Sequence, residues 1–83
     1  MFETKFSNGT EITDYQAVAY AEGFEECPQS DAVRAWAYII KKRLYLSLQG
    51  WFGRVCQQLI NANFIDNEGI INWEAVEADD YKL

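Results

Sequence analysis

Apolar positions recur at spacings of three and four residues along most of the chain, and this period predicts three main helices. Thr13 and Gln16 form a capping-box pair, which predicts a first helix from about Asp14 to Phe24. This helix is apolar around most of its circumference, so we expect it to be the central helix. A glycine and a proline soon afterwards end it.

The second and third helices have narrower apolar stripes. Ser30 is a good N-cap, and it predicts a second helix that runs to about Arg43. Ser47 predicts the cap of a third helix that ends near Ala62. The inward stripe of the second helix is Val33, Trp36, Ala37, Ile40 and Leu44, and that of the third is Phe52, Val55, Cys56 and Leu59.

Short elements are predicted at both ends of the chain. Residues 2–6 alternate apolar and polar before a Ser7-Asn8-Gly9 turn, which predicts a short N-terminal β-hairpin. Asn72 predicts the cap of a short final helix, Trp73 to Ala78, before the acidic pair Asp79-Asp80. The predicted fold is therefore mostly α: a compact three-helix domain with a short N-terminal β-hairpin and a short C-terminal helix, in a single domain of residues 1–83.

Composition narrows the class of protein. With 83 residues and 16% aromatic side chains, the chain predicts one small, densely packed domain. No apolar run approaches the ~20 residues that span a bilayer, and the N-terminus lacks the layout of a signal peptide, so we expect a cytoplasmic protein. Cys27 and Cys56 are expected to be reduced, and with no histidine the sequence predicts neither a metal site nor a cofactor.

Charge is distributed unevenly within the net value of −6. Residues 1–30 hold six acids and one base, residues 31–61 one acid and five bases, and residues 62–83 six acids and one base. A basic centre is thus bracketed by acidic ends. Two interpretations stay open: the charges are solvated and balance one another within the molecule, or an acidic face meets a basic partner.

The chain carries no recognisable catalytic signature. It has no phosphate-binding glycine loop, no GxSxG elbow and no dinucleotide fingerprint. The turn at Asp66 is similar in part to an EF-hand loop, but its first and twelfth positions would be Phe64 and Ala75, which do not bind calcium. We therefore expect a protein that is not an enzyme.

The segment Leu48-Gln49-Gly50-Trp51-Phe52-Gly53-Arg54 suggests close approach to another surface, because two glycines flank two large aromatic residues. Phe52 is predicted to be core, and Gly50 and Gly53 to give clearance to a packed neighbour. Trp51 lies at the boundary of the apolar stripe, over apolar surface or stacked with Arg54. Together with the acidic cluster after the first helix, this predicts a protein-binding surface formed by Trp51, Arg54, Gln58, Glu22, Glu25 and Glu26.

A DNA-binding regulator is the first alternative. Residues 31–71 resemble a helix-turn-helix with a small wing, in which the second helix enters the major groove. The nucleic-acid-binding residues would be Lys41, Lys42, Arg43, Arg54 and Gln57. The acidic flanks oppose this interpretation, so nucleic acid is the less favoured partner. A self-assembling structural or virion component, and hence a homo-oligomer, is the second alternative.

The pattern Ala35-Trp36-x-Tyr38-Ile39, then the Leu48 to Arg54 segment, then Leu59-Ile60, resembles a group of short bacteriophage-encoded proteins of unknown function. The resemblance covers roughly residues 13–65. The chain departs from the pattern at Lys42-Arg43, where a Thr-Gly-like turn is more usual. The resemblance implies a small acidic phage accessory protein that acts inside an infected bacterium by binding a host or phage protein. It transfers no catalytic residue.

Overall fold

The computed structural model describes residues 2–78, and the mostly helical class is confirmed. None of the helices formed by these residues is long and apolar enough to cross a membrane. The elements in chain order are α1 (Asp14–Glu22), α2 (Gln29–Lys42), a 3₁₀ helix (Leu44–Ser47), α3 (Gly50–Asn61) and α4 (Trp73–Ala78).

The central helix is α2, not α1 as predicted. Seven of its side chains are buried, and α1, the 3₁₀ helix and the core residues of α3 gather around it. In α1 only Ala17 and Ala19 are buried, and Tyr15 stays exposed. The prediction was wrong because the apolar surface of α1 extends beyond the part that α2 covers. The buried residues of α2 are Asp31, Val33, Ala35, Trp36, Ala37, Ile39 and Ile40.

Only one of the two hydrogen bonds of the predicted capping box forms at the start of α1. Thr13 Oγ1 accepts a hydrogen bond from the Gln16 amide at 3.2 Å. The Gln16 side chain does not return to Thr13; its Nε2 donates to Glu25 Oε1 at 3.1 Å. The helix ends at Glu22, because Gly23 adopts a left-handed φ of 82°.

The connection between α2 and α3 differs from the prediction. Ser47 does not cap α3; it ends the 3₁₀ helix, where its hydroxyl donates to the Leu44 carbonyl oxygen at 3.1 Å. Gln49 takes the N-cap position of α3 without a side-chain cap hydrogen bond. Arg43 joins α2 to the 3₁₀ helix with a left-handed φ of 57°. That is a conformation that a glycine adopts at less cost than an arginine.

The predicted N-terminal β-hairpin is wrong, since residues 2–78 contain no strand. Lys5 and Glu11 form a single isolated bridge around a tight turn. Phe6 and Ile12, one on each side of that turn, are both buried in the helical core. Without a third strand a two-stranded pairing is marginal, and here each side is held by one apolar side chain instead.

The C-terminal part follows the prediction. The short helix α4 is confirmed, and Asn72 Oδ1 accepts from the Ala75 amide at 3.2 Å. The pair Asp79-Asp80 lies outside the described residues. A turn between Ile65 and Ile71 places Gly69 against α2, where an added Cβ would lie 2.7 Å from the Cβ of Lys41.

Candidate functional site

The exposed aromatic side chains of helix α1 and its cap border one apolar cleft of about 430 Å³. Tyr15 is 76% exposed and Phe24 is 80% exposed. Isolated apolar side chains on a surface are ordinary, but two large rings around one cleft form a patch that needs an explanation. The cleft is lined by Asp14, Tyr15, Val18, Ala19, Glu22 and Phe24.

The local backbone explains why these side chains meet. Residues 14, 15, 18 and 22 follow the spacing that places side chains on one face of a helix. Phe24 joins this face through the end of the helix, where its amide donates to the Ala19 carbonyl oxygen at 3.0 Å. The Gly23 amide donates to the Tyr20 carbonyl oxygen at 3.2 Å. This pair of hydrogen bonds, with Gly23 left-handed, is the Schellman arrangement, and it returns the chain toward the helix.

The net charge of the chain arises in the segment that forms this cleft. Residues 6–33 contain six acids and no base, whereas the rest of the chain has seven acids and seven bases. One of the six, Asp31, is buried and paired with Arg34 at 3.0 Å. The other five are exposed: Glu11, Asp14, Glu22, Glu25 and Glu26.

Two of the exposed carboxylates have partners within the molecule. Asp14 Oδ1 accepts a hydrogen bond from the Tyr38 hydroxyl at 2.6 Å, and this bond, with burial, raises the pKa of Tyr38 to about 12. Glu25 accepts the hydrogen bond from Gln16 described above. Glu22 has no hydrogen-bond or ion-pair partner among residues 2–78. Among the described residues, neither oxygen of this carboxylate at the edge of the cleft therefore has a partner.

The predicted acidic residues thus adjoin an apolar site that the sequence prediction missed. Glu22 lines the cleft, while Glu25 and Glu26 line a neighbouring depression with Tyr20 and Cys27. The prediction of a central helix, made because this helix is apolar on most sides, missed the exposure of Tyr15 and Phe24. The sequence feature that could have indicated this exposed site is the large apolar surface of a helix only nine residues long.

The second predicted group lies on α3. Trp51 is half-buried, stacks on Phe52 with ring centres 4.0 Å apart, and meets Trp36 edge-on at 6.1 Å. Arg54 and Gln58 are exposed on the same helix. The Trp51 ring therefore packs against the hydrophobic core at its edge. Among the described residues, neither a ring contact nor an ion pair joins this group to the acidic residues of α1.

The glycines beside Trp51 do not give clearance to a neighbour within the described part of the chain, contrary to the prediction. A Cβ added at Gly50 would lie 3.5 Å from an Arg54 guanidinium nitrogen, and one added at Gly53 would lie 4.0 Å from the Tyr45 ring. Both are ordinary van der Waals distances. Arg54 therefore lies over Gly50, and among residues 2–78 it makes no cation–π contact with Trp51.

The basic residues of the DNA-binding alternative lie at the end of α2 and along α3. Lys41 Nζ is 3.5 Å from Glu68 Oε2, and Lys42 Nζ is 5.9 Å from the centre of the Tyr38 ring. Arg43 caps α2. On α3, Gln57 Nε2 donates to Asn61 Oδ1 at 3.0 Å. Intramolecular contacts therefore occupy Lys41 and Gln57, while Arg43 and Arg54 are exposed.

The described residues present little reactive chemistry. Both cysteines are free thiols: Cys27 is half-buried and Cys56 is buried. Residues 2–78 contain no group of three or more Cys, Asp or Glu side chains arranged to hold a metal ion.

Neither protein-family models, nor curated proteins, nor solved structures match the chain. The resemblance to short bacteriophage proteins stays a prediction.

Proposed function

We propose that this chain is a non-enzymatic binding protein whose α1 surface docks onto a basic surface of a host or phage protein. We define the α1 surface as the cleft residues Asp14, Tyr15, Val18, Ala19, Glu22 and Phe24 together with Glu25 and Glu26. The observation that carries the proposal is the pair of exposed rings, Tyr15 and Phe24, within a segment that has six acids and no base.

Apolar and charged groups contribute differently to such an interface. Burial of the two rings against a partner removes apolar surface from water, which is the main source of affinity. The surrounding carboxylates select a basic partner and repel acidic ones. A protein surface that binds nucleic acid carries clustered lysine and arginine, so it fits this description. The proposed targets are therefore nucleic-acid-handling or defence enzymes, and occupation of their basic surface would inhibit them.

The test is affinity capture from bacterial lysate, followed by binding measurements with the purified partner. The wild-type protein is compared with Phe24→Ser and with Leu46→Ser, a matched control that removes another side chain of similar exposure (75%). We expect a basic protein to be retained by wild type and Leu46→Ser, and its affinity to fall at least tenfold for Phe24→Ser. Equal affinity of the two variants would overturn the proposal.

Two further measurements distinguish the alternatives. Retention of DNA with a steep salt dependence, weakened by Arg54→Ala, would favour the regulator and overturn the proposal. A concentration-dependent oligomer that is dissociated by Trp51→Ala would favour self-assembly instead.

A further inference from the structure

The free carboxylate of Glu22 lies at the edge of an apolar cleft that also contains two aromatic rings. This combination suits a side chain that is apolar along its length and cationic at its end. Val18 offers aliphatic surface, Tyr15 and Phe24 offer ring faces, and Glu22 offers the acceptor. We propose that the α1 cleft binds an arginine side chain of the basic partner. This inference rests on the proposed function, and it names the group that the site recognises.

The negative charge of the segment that forms this cleft favours a cationic ligand. No lysine or arginine occurs between Lys5 and Arg34, so the segment that forms the cleft supplies no counterion of its own. Of the two carboxylates at the cleft, Asp14 already accepts the Tyr38 hydroxyl, whereas Glu22 has no partner among residues 2–78. The two positions are eight residues apart on one helix, roughly 12 Å, so one guanidinium does not span both. The cation therefore pairs with Glu22.

The geometry favours arginine over lysine. A guanidinium is planar, so it stacks on an aromatic ring while its edge donates two parallel hydrogen bonds to one carboxylate. Phe24 lies two residues from Glu22, and its amide donates to the Ala19 carbonyl oxygen, which holds the backbone of Phe24 beside the end of the helix. An ammonium group is a strongly hydrated point charge that does not stack in this way. The aliphatic part of arginine would cover Val18.

The probe is N-acetyl-arginine N-methylamide, compared with the matching lysine and citrulline compounds. Each is titrated into the full chain and followed by the amide and ring resonances of the protein. We expect saturable shifts at Tyr15, Val18, Glu22 and Phe24 with a millimolar dissociation constant for arginine. Lysine should bind several-fold more weakly, and citrulline, which keeps the shape and loses the charge, should give no saturable shift.

Two variants test the assignment of the acceptor. Glu22→Gln should weaken arginine binding at least fivefold, while Glu11→Gln, an exposed carboxylate outside the α1 surface, should leave it unchanged. The spectrum away from α1 reports whether each variant keeps the fold. Equal binding of citrulline, shifts that lie away from α1, or an unchanged affinity of Glu22→Gln would each overturn the inference.

The outcomes separate this inference from the proposed function. Loss of the protein partner by Phe24→Ser, with no arginine-dependent shift, would overturn the arginine site alone. An arginine-dependent shift in α1, with partner affinity unchanged by Phe24→Ser, would overturn the proposed function and leave the arginine site.

Discussion

The indole nitrogen of Trp73 donates a hydrogen bond to Glu3 Oε2 at 2.7 Å across a separation of 70 residues. The other oxygen of Glu3 lies 2.7 Å from Arg34 Nε, and the Arg34 guanidinium carbon lies 4.9 Å from the centre of the Trp73 ring. One carboxylate therefore joins the N-terminal segment to both α2 and α4.

A double-mutant cycle on Glu3 and Trp73 tests this junction. Trp73→Phe keeps an aromatic ring but removes the indole donor, so we expect the free energy of unfolding to fall by about 1–2 kcal/mol. Because Glu3→Ala removes the acceptor, the two changes should be non-additive by about 1 kcal/mol. Urea unfolding followed by circular dichroism measures all three variants. Additive losses would show that the hydrogen bond does not contribute.

An exposed ion pair provides the comparison for that cycle. Lys41 and Glu68 are 3.5 Å apart, with side chains 40% and 68% exposed. We expect Glu68→Gln to change the free energy of unfolding by no more than about 0.5 kcal/mol, because water screens such pairs.

Two glycines should respond in opposite directions to replacement by alanine. Gly69 has a φ of 77°, and its added Cβ would lie 2.8 Å from the Ala37 carbonyl oxygen, so Gly69→Ala should lower the free energy of unfolding by about 2–4 kcal/mol. Gly53 is helical with ordinary space around it, so Gly53→Ala should raise the same quantity by up to about 1 kcal/mol. Thermal and urea unfolding measure both. A stabilising Gly69→Ala would contradict the packing described here.

Stability should depend on pH through Asp31. Burial raises the pKa of this carboxyl, but hydrogen bonds from the Ser7 amide and hydroxyl and from Arg34 lower it by more than burial raises it. The pKa of Asp31 therefore lies below the ordinary value of 3.8. A depressed folded-state pKa stabilises the protein above the unfolded-state pKa, and this contribution disappears as pH falls through the folded-state value. We expect the loss in unfolding free energy caused by Asp31→Asn to be largest near pH 7 and to shrink below about pH 4.

Ser7→Ala is the matched variant for this measurement. It removes the hydroxyl donor at 2.7 Å and leaves the amide in place, so the folded-state pKa of Asp31 should rise, and the decline in stability should be smaller and should end at a higher pH than in the wild type. A difference between wild type and Asp31→Asn that is constant across pH would show that the charge of Asp31 is not involved.

The two thiols should differ in reactivity. Burial raises the pKa of Cys56 to about 11 and leaves the side chain 2% exposed, while Cys27 is half-buried with a pKa raised by burial and by Asp31. A disulfide reagent at pH 8 should therefore modify Cys27 at least tenfold faster, because the thiolate is the reactive form and needs access. Cys27→Ser should lose the fast phase, and Cys56→Ser should keep it. Equal rates for both thiols would contradict the burial of Cys56.

The three- and four-residue spacing of apolar positions predicted a helix well where that helix buries a single stripe of apolar side chains. The stripes proposed around Trp36 and Phe52 are buried except for Leu44 and Val55, which are partly buried, and the short helix after Asn72 has its predicted bounds. Ser47 shows where local signals fail. A serine caps a helix only if it stands directly before the first helical residue, where its oxygen accepts from a backbone amide. Here Ser47 ends the 3₁₀ helix and donates to the Leu44 carbonyl oxygen, and α3 begins at Gly50.

The sequence predicted the acidic residues of the candidate site but not its exposed apolar residues. Glu22, Glu25 and Glu26 followed from the acidic cluster in the sequence. Tyr15 and Phe24 did not, because a helix that is apolar on most sides is typical both of a central helix and of a helix with an uncovered face. The number of neighbours that pack around the helix decides between them, and that is a property of the tertiary structure.

The uneven placement of charge along the chain also affects how fast the protein would meet a partner. Since all six net negative charges arise from residues 6–33, the field beside the segment that forms the α1 surface is negative, and it acts over a Debye length of about 8 Å at physiological salt. A basic partner would therefore turn α1 toward itself before contact. Productive orientation is thus favoured during the diffusional encounter, and the association rate falls as salt shortens the reach of that field.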